Sequence, residues 1–129
     1  MSQRENLKRL LAPKHLAFIG GRSMARALKR CAEGGFAGPM WLVNPQYDEL
    51  EGVPCVRSIA ELPEGPDAVF VATNRDLTLQ AVAELAAKGA GGAICYASGF
   101  AETGAEGEAL QARLLQAAGD MALLGPNCY

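Results

Sequence analysis

Gly20, Gly21, Arg22 and Ser23 are the consecutive residues of this chain best suited to chemistry, and that chemistry is anion binding. They interrupt an apolar run, Leu16, Ala17, Phe18 and Ile19, that suits a strand buried on both faces. A glycine pair lets the backbone turn and lets a ligand approach it closely. Ser23 is a suitable cap for a helix whose apolar or small positions Met24, Ala27, Leu28, Cys31 and Ala32 fall on one side. A helix start leaves N–H groups unpaired and carries about half a positive charge, and Arg22 adds a guanidinium, so a phosphate is the expected guest. Arg26, Lys29 and Arg30 extend the basic stripe but lie beyond the first turn, where the helix dipole fades, and read as a solvated face. Plain turns between strand and helix use the same residue types, so the surrounding topology has to supply the rest of the argument.

Other chemistries lack their residues. A Walker loop needs Gly-Lys-Ser or Gly-Lys-Thr, which does not occur, and the hydrolase elbow needs glycines where Tyr96 and Phe100 flank Ser98. Cys128 has no base: the one histidine, His15, begins a strand whereas Cys128 follows the end of one, and a strand length of about 17–20 Å lies between such edges. His15 therefore reads as a structural residue at the sheet rim. Cys31, Cys55, Cys95 and Cys128 are widely spaced, contain no CxxC pair and read as reduced core thiols, so no metal site is expected. A formal net charge of −2 argues against a nucleic-acid surface. No apolar run approaches the ~20 residues that cross a bilayer, and the polar start lacks a signal peptide's apolar core, so the expected location is cytoplasmic, without membrane contact.

These residues must be positioned by an α/β fold. At 129 residues with 50% hydrophobic content, the chain is expected to form one domain over residues 1–129. Ser2 and Glu5 have capping-box spacing, and Leu7, Leu10 and Leu11 mark a short helix that ends at Pro13. After the strand at 16–19 and a helix over 23–33, Gly34 and Gly35 stop the helix and Phe36 tucks back. Residues 40–43 read as the second strand, ended by Asn44 and Pro45, and residues 47–52 as a loop. Val53, Cys55 and Val56 suggest a short strand, and Ser58 with Glu61 a second capping box opening a brief helix. A buried strand over 67–72 leads through Thr73 and Asn74, both capping types, into a helix over 76–88 that Gly89 stops. A strand over 93–97, a turn at Ser98, Gly99 and Phe100, a helix over 107–118 and a strand over 122–124 complete the chain.

Strands and helices alternating this regularly predict a doubly wound, mainly parallel, Rossmann-like sheet with helices on both faces. Ligands in such sheets sit at the carboxyl ends of the strands. The candidate site is therefore Gly20, Gly21, Arg22 and Ser23; Val43, Asn44, Pro45 and Tyr47; Ala72, Thr73 and Asn74; and Ser98, Gly99 and Phe100, with the loop at 125–128 beside them. A nicotinamide dinucleotide fits poorly, because Ala25 replaces the third glycine of its fingerprint and Asn44 with Pro45 replaces the carboxylate that binds the ribose.

Four segments carry a resemblance: Val43 to Tyr47, Gly52 to Ile59, Ser98 to Gly104 and Gly125 to Cys128. Together and in this order, they resemble the N-terminal CoA-binding domain of the NDP-forming acyl-CoA synthetases, relatives of the succinyl-CoA synthetase α subunit. The same domain occurs in some protein acetyltransferases. Two departures are visible: the loop at Gly20 enters its helix sooner than is usual there, and Gln46 stands where a lysine or arginine is common. The resemblance implies CoA or an acyl-CoA as cofactor. Its diphosphate would lie near residues 20–23, its adenine side near 43–47, and its pantetheine arm would run past 72–74 toward 98–100. It implies an acid–CoA ligase that forms ADP, whose phosphohistidine and nucleotide-grasp domains lie downstream, so this chain alone is expected to be non-catalytic. A CoA-sensing module, such as that of an acetyltransferase, is the alternative, and an NAD(P)-binding oxidoreductase domain comes third. The stop soon after the last strand, with no helix expected over that strand, predicts that the chain is the first part of a longer protein; oligomers are possible partners.

Overall fold

A computed structural model describes residues 2–96 and 104–124. In chain order these form α1 (Gln3–Leu11), β1 (Leu16–Ile19), α2 (Arg22–Glu33), β2 (Met40–Val43), β3 (Glu49–Leu50), β4 (Val53–Val56), a 3₁₀ turn (Ile59–Glu61), β5 (Ala68–Val71), α3 (Arg75–Lys88), β6 (Gly92–Cys95), α4 (Ala105–Ala118) and β7 (Ala122–Leu124). Among the described residues the strands form one seven-stranded sheet in the order β3-β4-β2-β1-β5-β6-β7. Every pairing is parallel except that of β3 with β4. The α/β, doubly wound, Rossmann-like reading is correct.

Strict alternation along the strands feeds two cores. Leu16 and Phe18 of β1 face α1 and α2 with Leu10, Ala25, Leu28, Leu42 and Ala68, whereas Ala17 and Ile19 face α3 and α4 with Val69, Val71, Val82, Leu85 and Leu114. Both sets are buried, which explains why β1 is apolar at every position. On the α2 side Phe18 and Phe70, from adjacent strands, stack with centroids 5.1 Å apart. Cys95 is buried and Cys31 and Cys55 are half-buried within these cores; burial pushes the Cys55 thiol up.

Local signals set most boundaries. Ser2 Oγ accepts from the Glu5 N–H at 3.2 Å, and Asn74 Oδ1 accepts from the Leu77 N–H at 2.9 Å, so α1 and α3 are capped as their residues suggest. Gly89 ends α3 in the left-handed conformation, and the Phe36 N–H returns to Cys31 O at 3.0 Å.

Four expectations need correction. Ser23 does not cap α2; the helix starts directly after Gly21, which is its N-cap, and Ser23 is already inside the first turn. Residues 47–52 are not all loop, because Glu49 and Leu50 pair with Pro54 and Val53 across a tight turn at Glu51 (φ 51°) and Gly52 (φ 80°). Ser58 makes no side-chain cap, since its segment closes only a 3₁₀ turn in which Glu61 N bonds the Ser58 carbonyl. The outer strand β7 is covered: Ala122 packs in the α1-side core and Leu123 in the α4-side core, because α1 reaches across from the start of the chain.

α1 is locked to the amino-terminal edge of the sheet. Arg9 donates to Asp67 Oδ1 (2.7 Å), Asn6 Oδ1 (3.2 Å), Gly89 O (3.0 Å) and Gly65 O (3.1 Å), and Asn6 donates to Asp120 O (2.9 Å). Asp67 also accepts from the Lys14 N–H at 2.8 Å. Burial alone would raise the Asp67 carboxyl, but the Arg9 and Lys14 hydrogen bonds, with the charge of Arg9, hold it below the usual carboxylate range. No helix among the described residues is long and apolar enough to cross a membrane.

Candidate functional site

Three strands end side by side at the carboxyl edge: β2 at Val43, β1 at Ile19 and β5 at Val71 are in register. Chain order reverses there, since the chain leaves β1 toward β2 and later returns to β1's other side as β5. The ladder continues one step past the strands, with Gly20 N donating to Val43 O (3.3 Å) and Ala72 N to Ile19 O (2.9 Å). Above them opens a cleft of about 340 Å³.

Gly20 forms the floor and has to be glycine. Its φ is +152°, and a Cβ there would stand 2.8 Å from Met24 Cγ and 2.9 Å from Ala72 O. Gly21, which also lines the cleft, differs: a Cβ there would meet nothing within 4 Å. α2 begins at once, with Met24 N and Ala25 N bonded to Gly21 O at 3.0 and 3.2 Å. The N–H groups of Arg22 and Ser23 have no partner among the described residues, and α2 carries no acidic residue in its first turn to offset its positive end.

Asn44, buried at 9% exposure, forms the second wall. Its Nδ2 donates to Gly20 O at 2.9 Å, and its Oδ1 accepts from the N–H groups of Gln46 (2.8 Å) and Tyr47 (3.2 Å). One amide thus ties the β1 turn to the β2 loop and folds that loop over itself. The third wall is Ala72, Thr73 and Asn74. Thr73 Oγ1 lies 2.9 Å from the Oγ1 of fully buried Thr78, and Asn74 caps α3.

Of the residues singled out from sequence, the cleft brings together Gly20, Gly21, Val43, Asn44, Pro45, Tyr47, Ala72, Thr73 and Asn74. Arg22 and Ser23 do not line it; they follow Gly21 as exposed residues of α2. Ser98, Gly99, Phe100 and the loop at 125–128 lie outside the described residues. Ile19, Gln46 and Leu77 also line the cleft. Leu77 was missed although a signal existed: it sits in the first turn of α3, off the buried stripe, and is 49% exposed, as is Tyr47. The cleft therefore carries two half-exposed apolar flanks, and the open amide donors of α2 begin one residue beyond its Gly21, an arrangement suited to a phosphate joined to a flat base.

The basic stripe of α2 divides. Arg26 Nη2 pairs with Glu51 Oε1 at 2.8 Å, and Lys29 Nζ donates to Glu51 O at 3.0 Å, docking the β3–β4 turn on the helix. Arg22 has no ion pair or hydrogen bond among the described residues and remains available to an anion. His15 lies at the other edge of the sheet. Its Nδ1 accepts from Asp67 N at 2.9 Å, which places its proton on Nε2, 3.4 Å from Glu64 Oε1, and its ring stands edge-on to Trp41. A second cavity, of about 370 Å³, also lies at that edge; of its polar lining residues Asn6, Arg9 and Asp120, the first two are already committed to the α1 anchor.

Known proteins are similar to this chain. The chain is 37% identical over 131 residues to a trans-feruloyl-CoA synthase from an unknown prokaryotic organism, covering 96% of this chain and 18% of that protein. It is 33% identical over 132 residues to an ADP-forming acetate–CoA ligase I of Archaeoglobus fulgidus, covering 95% and 18%. The chain thus spans about a fifth of the length of the curated relatives it matches. Among solved structures, the dinucleotide-forming acetyl-coenzyme A synthetase 1 of Candidatus Korarchaeum cryptofilum superposes with a TM-score of 0.83 at 29% identity, covering 94% of this chain and 28% of that one. Residues 16–129, from β1 through the whole carboxyl-edge cleft, match the family described as CoA binding domain, and the chain belongs to that family.

Proposed function

We propose that the chain is the CoA-holding module of an acid–CoA ligase that forms ADP, with the ADP end of CoA in the cleft bounded by Gly20, Asn44 and Ala72. One observation carries the assignment within this family: the uncompensated start of α2 and the unpartnered Arg22 stand where three strand ends meet. CoA, when bound, supplies the thiol that takes up an acyl group as a thioester. The chain's own residues bind and orient it. The Arg22 and Ser23 N–H groups and the Arg22 guanidinium meet the diphosphate, and the open side of Gly21 admits it. Tyr47 and Leu77 give the adenine apolar flanks. The pantetheine arm leaves past Ala72 and Thr73.

The names of the relatives support the ligase assignment. Acyl activation and nucleotide binding then belong to domains beyond this one, which would be its partners in the whole protein. Calorimetric titration of the chain with CoA, ADP and NAD tests the reading. CoA is expected to bind most tightly, and tighter binding of NAD would overturn the assignment.

A further inference from the structure

We infer that Arg57 forms a subsite for a phosphomonoester on the ribose of the bound nucleotide, so that the cleft selects a ribose-phosphorylated ADP end over a bare one; this rests on the CoA reading above. β4 ends at Val56, which is in register with Val43 of β2, and the Asn44 N–H donates to Val56 O at 2.9 Å. Arg57 and Asn44 therefore leave the sheet side by side at the carboxyl edge. Arg57 Nη1 donates to the carbonyl of Pro45, a cleft residue, at 3.0 Å, and Nε and Nη2 both reach Asp48 Oδ1.

Those bonds hold the guanidinium plane in place without using it up. Three of its five N–H groups are engaged, and the side chain is 50% exposed. Planar donors fixed in this way suit the oxygens of a phosphate. In doubly wound folds the end of the second strand lies beside the adenosine ribose: a carboxylate there binds a free hydroxyl, and an arginine accommodates a ribose phosphate. Here the position after β2 holds an amide in place of a carboxylate, and that amide is already committed. The Asn44 amide is spent on Gly20, Gln46 and Tyr47, and Pro45 gives its carbonyl to Arg57. Asp48 is the carboxylate nearby, and it is 86% exposed, so it can swing off Arg57 when a dianion arrives.

The test is calorimetry of the whole chain with CoA and with dephospho-CoA, which lacks only the ribose phosphate, at one ionic strength. The unaltered chain is expected to favour CoA by about tenfold, a modest value for a half-exposed charge-assisted contact. Arg57→Gln should bring the ratio of the two affinities close to one, and Arg57→Lys should keep part of it. Arg22→Ala should weaken both ligands and leave the ratio intact. A ratio unchanged by Arg57→Gln, or equal losses for both ligands, would overturn the subsite. Tighter binding of dephospho-CoA would overturn it too and assign Asp48 to a free hydroxyl. If the unaltered chain bound neither ligand, the CoA reading itself would fall, and the subsite with it.

Discussion

The Asn44 side chain bonds the Gly20 carbonyl at 2.9 Å from across the cleft, and this contact joins two turns that are 24 residues apart in the chain. The other end of the same amide holds the backbone of Gln46 and Tyr47. A single planar group therefore sets the spacing between the Gly20 turn of the cleft and its aromatic flank. Asn44→Asp removes the donor and turns a carboxylate oxygen toward the Gly20 carbonyl. The expected cost is about 1–3 kcal/mol of stability, read from urea unfolding, together with weaker CoA binding. A variant as stable as the parent would show that the two turns hold their spacing without this amide.

Gly20→Ala should be more damaging than Gly21→Ala. At position 20 the new methyl meets the Ala72 carbonyl and Met24 in a backbone conformation that L residues avoid, whereas position 21 has free space. A loss of about 2–4 kcal/mol is expected for Gly20→Ala and less than 1 for Gly21→Ala. Gly21→Ala should instead reduce CoA affinity, since Gly21 lines the cleft. Paired unfolding and titration curves separate the two effects.

Arg22→Ala should leave folding unchanged, because this exposed side chain has no partner among the described residues. CoA affinity should fall roughly tenfold to a hundredfold, the range of a charge-assisted hydrogen bond to phosphate. Equal affinities for the two proteins would remove Arg22 from the site.

The Arg9–Asp67 anchor predicts acid sensitivity. Asp67 is held below its ordinary pKa in the folded state. Its contribution to stability is therefore present above the unfolded value of about 3.9 and is lost as pH falls through the lower folded value. Asp67→Asn should cost about 2–3 kcal/mol at pH 7, by leaving Arg9 with a weaker partner, and should flatten the decline in stability below about pH 4. Thermal unfolding across pH 2–7 would show whether the two curves converge at the acid end.

His15 should take no part in acyl transfer. It is tied to Asp67 and Glu64 at the edge opposite the cleft. Incubating the chain with carboxylic acids, CoA and ATP should give no ADP above background and no phosphohistidine. Sustained turnover would require a catalytic centre within this domain.

Neighbouring residues alone determine much of this protein. The apolar runs at 16–19 and 40–43 became strands at those limits, because a strand buried on both faces admits no polar residue and ends where glycine or proline breaks the ladder. Asn74 and Gly89 bounded α3 because a cap is a contact between residues three to five positions apart. Gly20, Asn44 and Ala72 could be grouped at one site because parallel strands put all their carboxyl ends on one edge. Tertiary structure decided what depends on distant partners. The two-residue β3 exists because β4 pairs with it and α2 holds its turn through Glu51. β7 is covered by a helix from the opposite end of the chain, anchored through the contact of Arg9 with Asp67, 58 residues away. The division of the basic stripe, with Arg26 and Lys29 committed and Arg22 left open, likewise depends on where Glu51 is carried by the fold. Side-chain hydrogen bonds across the sheet leave no periodic mark in the chain, so the roles of Asn44, Arg57 and Arg9 emerge only when the folded backbone brings their partners within 3 Å or so.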